Sequence, residues 1–180
     1  NITSNPGNLQ AGTYSVTVTD FQGCTAVAAA VITQTSPMDI MELKHDVSCY
    51  NGQDGAIQLS VNGGALPYAY LWNTGITASS PSGLSAGTYT VTITDGNGCQ
   101  QIKTFEILQP SLPLLLLPTI TSHVICNGSQ EGAINLTVNG GTAPYQYLWS
   151  NGDTTANPEN LIAGDYSVTV TDAGGCTGVA

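Results

Sequence analysis

A sixteen-residue block occurs three times in this chain, and its spacing limits what the chain can fold into. The copies are LQAGTYSVTVTDFQGC from Leu9, LSAGTYTVTITDGNGC from Leu84 and LIAGDYSVTVTDAGGC from Leu161. These starting positions give a period of about 75 residues, which is the size of a small domain and is too long for one turn of a solenoid. The repeat therefore predicts a series of similar modules.

A second repeated block fixes the phase of the modules. It reads CYNGQDGAIQLSVNGGALPYAYLW from Cys49 and CNGSQEGAINLTVNGGTAPYQYLW from Cys126, and no copy precedes Leu9. We therefore predict the C-terminal half of a module in residues 1–36, a complete module in 37–110, and a module lacking its last strand in 111–180. This phase predicts a stretch of a longer array.

Short runs of alternating residues indicate strands. In YTVTIT from Tyr89 and IQLSVN from Ile57, apolar residues alternate with polar ones, as half-buried strands require. Gly, Asn, Asp and Pro separate these runs, and no segment has a useful helical period. Six or seven short strands in about 75 residues predict an all-β fold of tandem small immunoglobulin-like β-sandwich modules, with Trp72 and Trp149 in the cores.

The cysteines present a pairing problem. Each full module has one cysteine before its second strand and one after the AGxYxVTxTD strand, 50 residues later. The simplest scheme pairs Cys49 with Cys99 and Cys126 with Cys176, which leaves the partner of Cys24 outside the chain. However, a seven-residue strand spans more than about 20 Å, whereas disulfide Cα atoms approach within about 7 Å. A bridge between modules, such as Cys49 to Cys176, and free buried thiols therefore stay open as alternatives. Bridges of either kind indicate an oxidising, extracellular compartment.

Charge and hydropathy exclude several partners. Twelve acidic residues stand against two lysines and no arginine, with a net charge of −10. This balance disfavours nucleic acids and anionic lipids, which both need clusters of cations. The longest aliphatic run, Leu114–Leu117, is too short to span a bilayer.

Catalysis and cofactors are not predicted. His45 and His123 stand at different offsets from the repeated cysteines, and zinc-type CxxC or Cys–His spacing is missing from the sequence. Asp54, Asp95 and Asp172 lie in predicted turns. Turn formation is the favoured role for them, and calcium is the alternative that is not favoured, because each loop offers one carboxylate.

The order of the motifs resembles the SprB repeat. CxNGxxxGAIxLxVNGGxxPYxYLWxxG is followed by LxAGxYxVTxTDxxGC and an exit phrase such as EILQP from Glu106. The resemblance implies β-sandwich modules of very large surface adhesins of gliding bacteria, exported by the type IX secretion system. It also implies O-glycosylation at Thr154 in an Asp-Thr-Thr sequence. Asn127 and Asn135 match the N-glycosylation sequon independently.

Three non-enzymatic functions follow. The first is a segment of a bacterial cell-surface adhesin or filament, with neighbouring modules and surface polysaccharide or another external ligand as partners. The second is a structural fibre or sheath that associates laterally or head to tail. The third is a spacer or carbohydrate-binding appendage of a secreted enzyme. Proline at each junction restricts the linkers and favours semi-rigid spacing.

Overall fold

The structure is a computed structural model that describes residues 6–180, so the first five residues of the first predicted module lie outside it. Within this range all regular structure is β, and it includes no helix that could cross a membrane. The strands are β1 (Gly12–Thr19), β2 (Thr25–Ile32), β3 (Asp39–His45), β4 (Gly55–Asn62), β5 (Ala69–Trp72), β6 (Ser82–Leu84), β7 (Gly87–Thr94), β8 (Gln100–Ile107), β9 (Leu115–Ser122), β10 (Ala133–Asn139), β11 (Gln146–Trp149), β12 (Val168–Thr171) and β13 (Thr177–Val179).

The second module is a two-sheet sandwich. Strands β3, β4 and β6 form one antiparallel sheet, and β5, β7 and β8 form the other. The first, second and fourth strands thus face the third, fifth and sixth, which is the division between the two sheets of an immunoglobulin-like fold. The predicted fold class, tandem all-β sandwich modules, is confirmed.

Alternating residues from the two sheets form the core of this module. Ile57 from β4 and Val91 and Ile93 from β7 are at most 1% exposed. Trp72, at the end of β5, is 2% exposed and packs against Phe105 of β8, with 5.9 Å between the ring centroids. The threonines between the buried positions of β7 face away from the core, because successive strand residues point to opposite faces.

A tyrosine in the repeated block closes the corner before β7. The Tyr89 hydroxyl donates a hydrogen bond to the Ser85 carbonyl at 2.9 Å, four residues upstream. The same bond recurs in the other two copies, from Tyr14 to Gln10 O and from Tyr166 to Ile162 O. This is the tyrosine corner of immunoglobulin-like sandwiches, and it explains why AGxY is part of the repeated block.

The third module repeats this plan with fewer strands. Strands β9 and β10 pair in one sheet, and β11, β12 and β13 form the other. Its core contains Leu136, Trp149, Val168 and Val170. The strand that this module was predicted to lack is represented by its first three residues, β13, which pair with β12.

The first module contributes one hairpin, β1–β2, to the described residues. Its Val16 and Val18 are 56% and 62% exposed, whereas their equivalents Val91 and Ile93 in the second module are fully buried. No other strand within residues 6–180 pairs with this hairpin. The repeated block therefore forms its hairpin in all three copies, but it is buried only where a second sheet covers it.

Candidate functional site at the module junction

Each sandwich has two ends, and the repeated cysteines lie at opposite ones. In the second module, the β3–β4 loop lies beside the end of β8, where Val47 N donates to Leu108 O at 2.8 Å. We name this the exit end, because the chain leaves the module there. The β7–β8 turn lies beside the β4–β5 loop, where Gly96 N donates to Ala65 O at 2.7 Å. We name this the entry end.

A disulfide joins the exit end of the second module to the entry end of the third. Cys49, in the β3–β4 loop, is bonded to Cys176, in the β12–β13 turn, with 5.7 Å between the Cα atoms. Cys24, Cys99 and Cys126 are free and exposed. The predicted pairing of Cys49 with Cys99 and of Cys126 with Cys176 is therefore wrong for this structure, and the alternative of a bridge between modules is the one that forms.

Strand length is the physical reason for this correction. Cys49 and Cys99 lie at opposite ends of a sandwich whose β7 strand has eight residues and so spans about 27 Å. Disulfide geometry requires Cα atoms within about 7 Å. Among residues 6–180, it is the facing end of the next module that brings a turn cysteine close enough to Cys49.

Two hydrogen bonds shape the loop that carries Cys49. Gly52 N donates to the Cys49 carbonyl at 2.9 Å, and Ser48 N donates to Asp54 Oδ1 at 3.0 Å. The hydrogen bonds from Ser48 hold the pKa of Asp54 below its ordinary value. Both bonds join residues of the same loop, so they hold its shape without any contact from the neighbouring module.

A buried carboxylate shapes the turn that carries Cys176. Asp172 is 5% exposed, and its Oδ1 accepts a hydrogen bond from Cys176 N at 2.8 Å. Its Oδ2 accepts from Thr142 N at 2.8 Å, which ties the turn to the neighbouring loop. This Asp is repeated at the same place in each sixteen-residue block, so its position was visible in the sequence, although its two acceptor roles were not.

Glycine permits the close approach of the two modules. A Cβ placed on Gly174 would lie 2.7 Å from the Ser48 carbonyl oxygen, which is nearer than real Cβ contacts come. The Cys176 sulfur lies 3.4 Å from the same oxygen. Nothing in the sequence alone singles out Gly174, because the oxygen that it faces belongs to another module.

The linker between the modules is tied to the exit loop. Gln109 Oε1 accepts a hydrogen bond from Asn51 N at 2.9 Å. Leu108 N donates a hydrogen bond to Asp46 Oδ1 at 2.9 Å. This bond is the main reason that the pKa of Asp46 lies below its ordinary value. The residues that lead out of the second module are thus held against the loop that carries Cys49.

Hydrogen bonds to backbone amides define the environment of the calcium alternatives. Asp95 Oδ2 accepts from Ala65 N at 3.1 Å, and its Oδ1 accepts from Asn97 N and Cys99 N, both at 2.9 Å. The carboxylates of Asp54 and Asp172 also accept hydrogen bonds from backbone N–H groups. Across residues 6–180, no group of three or more His, Cys, Asp or Glu side chains is placed to hold a metal ion. The bonds fit the turn-forming role, and the absence of a bound cation stays a prediction.

We expect EDTA to leave the melting temperature of the chain unchanged. The carboxylate oxygens of Asp95 and Asp172 already have amide donors, so these turns need no cation to hold their shape. The measurement is a pair of circular dichroism melts with and without excess EDTA, in about 1 mM calcium, which is the weak end of the dissociation constants of extracellular calcium modules. A drop of several degrees on chelation would contradict the prediction and restore the calcium interpretation.

Acid should destabilise the second module through Asp95. Burial raises the pKa of this carboxyl, but hydrogen bonds from the amides of Ala65, Cys99 and Asn97 together outweigh it and lower the pKa. A pKa that is lower in the folded state gives stability that is present above the unfolded value, about 3.9, and lost as the pH falls through the folded value. We therefore expect the melting temperature to decline below about pH 4.

Asn at position 95 should remove part of this acid dependence. In Asp95→Asn we expect a lower melting temperature at pH 7 and a flatter profile between pH 7 and pH 2, measured by circular dichroism. The matched control is Asp20→Asn, which alters the equivalent turn in the β1–β2 hairpin. Equal profiles for wild type and Asp95→Asn would show that other carboxyls govern acid unfolding.

The predicted glycosylation residues are accessible. Thr154 lies in an exposed turn next to Asp153, whose Oδ1 accepts hydrogen bonds from the amide and hydroxyl of Thr155 at 2.7 and 2.8 Å. Asn127, in the β9–β10 loop, and Asn135, on β10, are also exposed. Modification at these three residues stays a prediction.

Comparison with known proteins finds a likeness to a solved structure and a match to a family model. The chain is similar to a solved structure of three N-terminal domains of the bacteriophage RB49 highly immunogenic outer capsid protein (Hoc), with 18% identity and a TM-score of 0.45 over 79% of this chain and 56% of that one. This chain thus spans little more than half of that structure's length. Comparison with curated proteins finds no match.

The SprB repeat family model matches residues 44–77 and 119–154, which run from the first strand of a module past its third strand. The predicted resemblance to the SprB repeat is thereby confirmed in both modules.

Proposed function

We propose that this chain is a segment of a non-enzymatic extracellular repeat array, within a large bacterial cell-surface adhesin or filament that acts in adhesion or gliding motility. The observation that carries this proposal is the covalent junction from Cys49 to Cys176. It fixes the exit end of one module to the entry end of the next, so a load applied to one module is passed to its neighbour. Such a coupling is what a stalk needs.

The chemistry of the junction agrees with an extracellular location. Disulfides persist in oxidising compartments and are rare in the cytosol. The SprB repeat match supports a cell-surface repeat region of the adhesin type. On this proposal the internal partners are the neighbouring modules, and the external partner is a surface polysaccharide or another ligand outside the cell.

The test is antibody labelling and blocking on living cells of the source bacterium. Antibodies against the purified chain should label unpermeabilised cells, and their Fab fragments should reduce attachment to surfaces or slow gliding. Fab fragments from non-immune serum are the control. Labelling that requires permeabilisation would overturn the surface location, and surface labelling without any effect on attachment or gliding would overturn the adhesive role.

A self-associating fibre is the second candidate, because the edge strand β3 of the complete second module exposes apolar side chains. Met41 and Leu43 on this strand are 54% and 71% exposed. Exposed apolar faces and unpaired strand edges favour association between chains. Sedimentation velocity separates the two functions: a monomer across the concentration range supports the stalk, whereas growth into large species supports the fibre.

A further inference from the structure

We infer that the Cys49–Cys176 bond is one member of a series in which the loop cysteine of each module bonds the turn cysteine of the module that follows it. Under this rule Cys126 is the loop half of the next junction, and Cys99 and Cys24 are turn halves of junctions with preceding modules. The partner in each case is another copy of this module. The inference deepens the proposed function and rests on it for the presence of further modules.

The loop of Cys126 reproduces the loop of Cys49. The Cys49 carbonyl accepts a hydrogen bond from Gly52 N at 2.9 Å, and the Cys126 carbonyl accepts one from Ser129 N at 3.1 Å. Gly52 and Ser129 occupy equivalent positions in the repeat, because each is the third residue after its loop cysteine. Both cysteines therefore lie at the start of the same hydrogen-bonded turn.

An acidic side chain supports this loop in both modules. Ser48 N donates to Asp54 Oδ1 at 3.0 Å, and Ile125 N donates to Glu131 Oε2 at 3.3 Å. Each donor directly precedes the loop cysteine, and each acceptor follows it by five residues. The third module thus keeps the hydrogen bond that supports the loop of the cysteine, although Glu replaces Asp.

The turn half of the junction is equally constant. In all three copies the cysteine N–H donates to the Oδ1 of the Asp four residues before it, at 2.8 to 2.9 Å: Cys24 to Asp20, Cys99 to Asp95 and Cys176 to Asp172. The three cysteines without a partner in this structure are all exposed. The backbone of each free cysteine is therefore held as it is in its bonded counterpart, and the thiol is open to a neighbouring module.

Closure of a further bond is a two-electron oxidation. The two thiols lose two protons and two electrons as the sulfur–sulfur bond forms. A disulfide oxidant such as oxidised glutathione accepts them and becomes two molecules of reduced glutathione, through a mixed disulfide with one of the cysteines.

An extended chain supplies the missing half of one junction. Ala180 occupies the position of Lys103 in the repeat, so residues 104–180 appended after Ala180 complete the last strand of the third module and add a second copy of the linker and that module. The loop cysteine Cys126 and the appended copy of Cys176 are then separated in sequence by the same 127 residues as Cys49 and Cys176. The purified chain is oxidised in a glutathione buffer, alkylated and mapped by non-reducing mass spectrometry.

We expect two linked peptides, Cys49 with Cys176 and Cys126 with the appended Cys176, and alkylation of Cys24, Cys99 and the appended copy of Cys126. The Cys49–Cys176 peptide reports that the parent modules have folded. Cys126→Ser should abolish the second link and keep the first, and Cys99→Ser, the matched control, should keep both.

Three outcomes would overturn the series. They are Cys126 bonded within its own module, Cys126 fully alkylated while Cys49–Cys176 forms, and Cys126 linked between two chains, which appears as a dimer on a non-reducing gel. The mapping is independent of cellular location, so failure of the cell-labelling test with both links present would reject the proposed function alone.

Discussion

Pulling the reduced chain by its two ends should release about 440 Å more contour length than pulling the oxidised chain, since each extended residue contributes about 3.3–3.6 Å. The Cys49–Cys176 bond closes 127 residues into a loop that the applied force does not reach. Reduction opens this loop and adds its full length to the chain under load. Optical-tweezers unfolding with and without a phosphine reductant measures the difference directly.

Variants identify which bond is responsible. Cys49→Ser should give the longer contour length without reductant, and Cys99→Ser should behave as wild type. If the cysteines paired within modules, each bond would shield only 50 residues, about 175 Å, and Cys99→Ser would lengthen the oxidised chain by that amount. A lengthened Cys99→Ser chain would thus contradict the junction bond.

A series of such bonds would make an array almost inextensible. Successive bonds overlap in sequence, since Cys99 and Cys126 both lie inside the loop that Cys49 and Cys176 close. In such a series, Cys99 is bonded to the preceding module and Cys126 to the following one. The shortest covalent path along the array therefore includes only the segment from Cys99 to Cys126 between one disulfide and the next. That segment extends to about 95 Å at most, so a pair of modules could unfold fully and the array would lengthen little. A stalk that holds a cell against drag benefits from this property.

The fold could be predicted from the sequence because its determinants are local. Alternation in β4 and β7 indicates which residues face a core, and the spacing of turn residues indicates short antiparallel strands. Trp72 and Trp149 lie in the cores where they were predicted. Each of these inferences needs only a few consecutive residues.

The cysteine pairing could not be settled in that way, because it depends on which end of a sandwich each loop occupies. A constant 50-residue spacing makes the intramodule pair look natural, yet the number of strands between the two cysteines places them at opposite ends. Strand length is the one local feature that argues against the intramodule pair. The role of Gly174 is still less visible, since its constraint is the Ser48 carbonyl of another module.

Trp72→Ala should unfold the second module or bring it close to unfolding. Trp72 is 2% exposed, packs against Phe105 and donates its indole N–H to the Ala78 carbonyl at 2.9 Å. Truncation of a buried aromatic side chain to Ala costs about 3–5 kcal/mol. A module of about 75 residues has a free energy of unfolding of about 4–11 kcal/mol, so this loss removes a large share of it.

The residue before Trp72 provides the matched control, and comparing the two variants tests whether formation of the junction disulfide depends on the stability of the core. Leu71 is 58% exposed on the same strand, so Leu71→Ala should change the free energy of unfolding by about 0.5 kcal/mol or less. Urea unfolding followed by circular dichroism compares the two variants. Because the loop of Cys49 is held by the second module, Trp72→Ala should also reduce the yield of the Cys49–Cys176 bond in a glutathione buffer, whereas Leu71→Ala should not. Equal midpoints and equal disulfide yields for the two variants would show that Trp72 does not anchor the core of this sandwich.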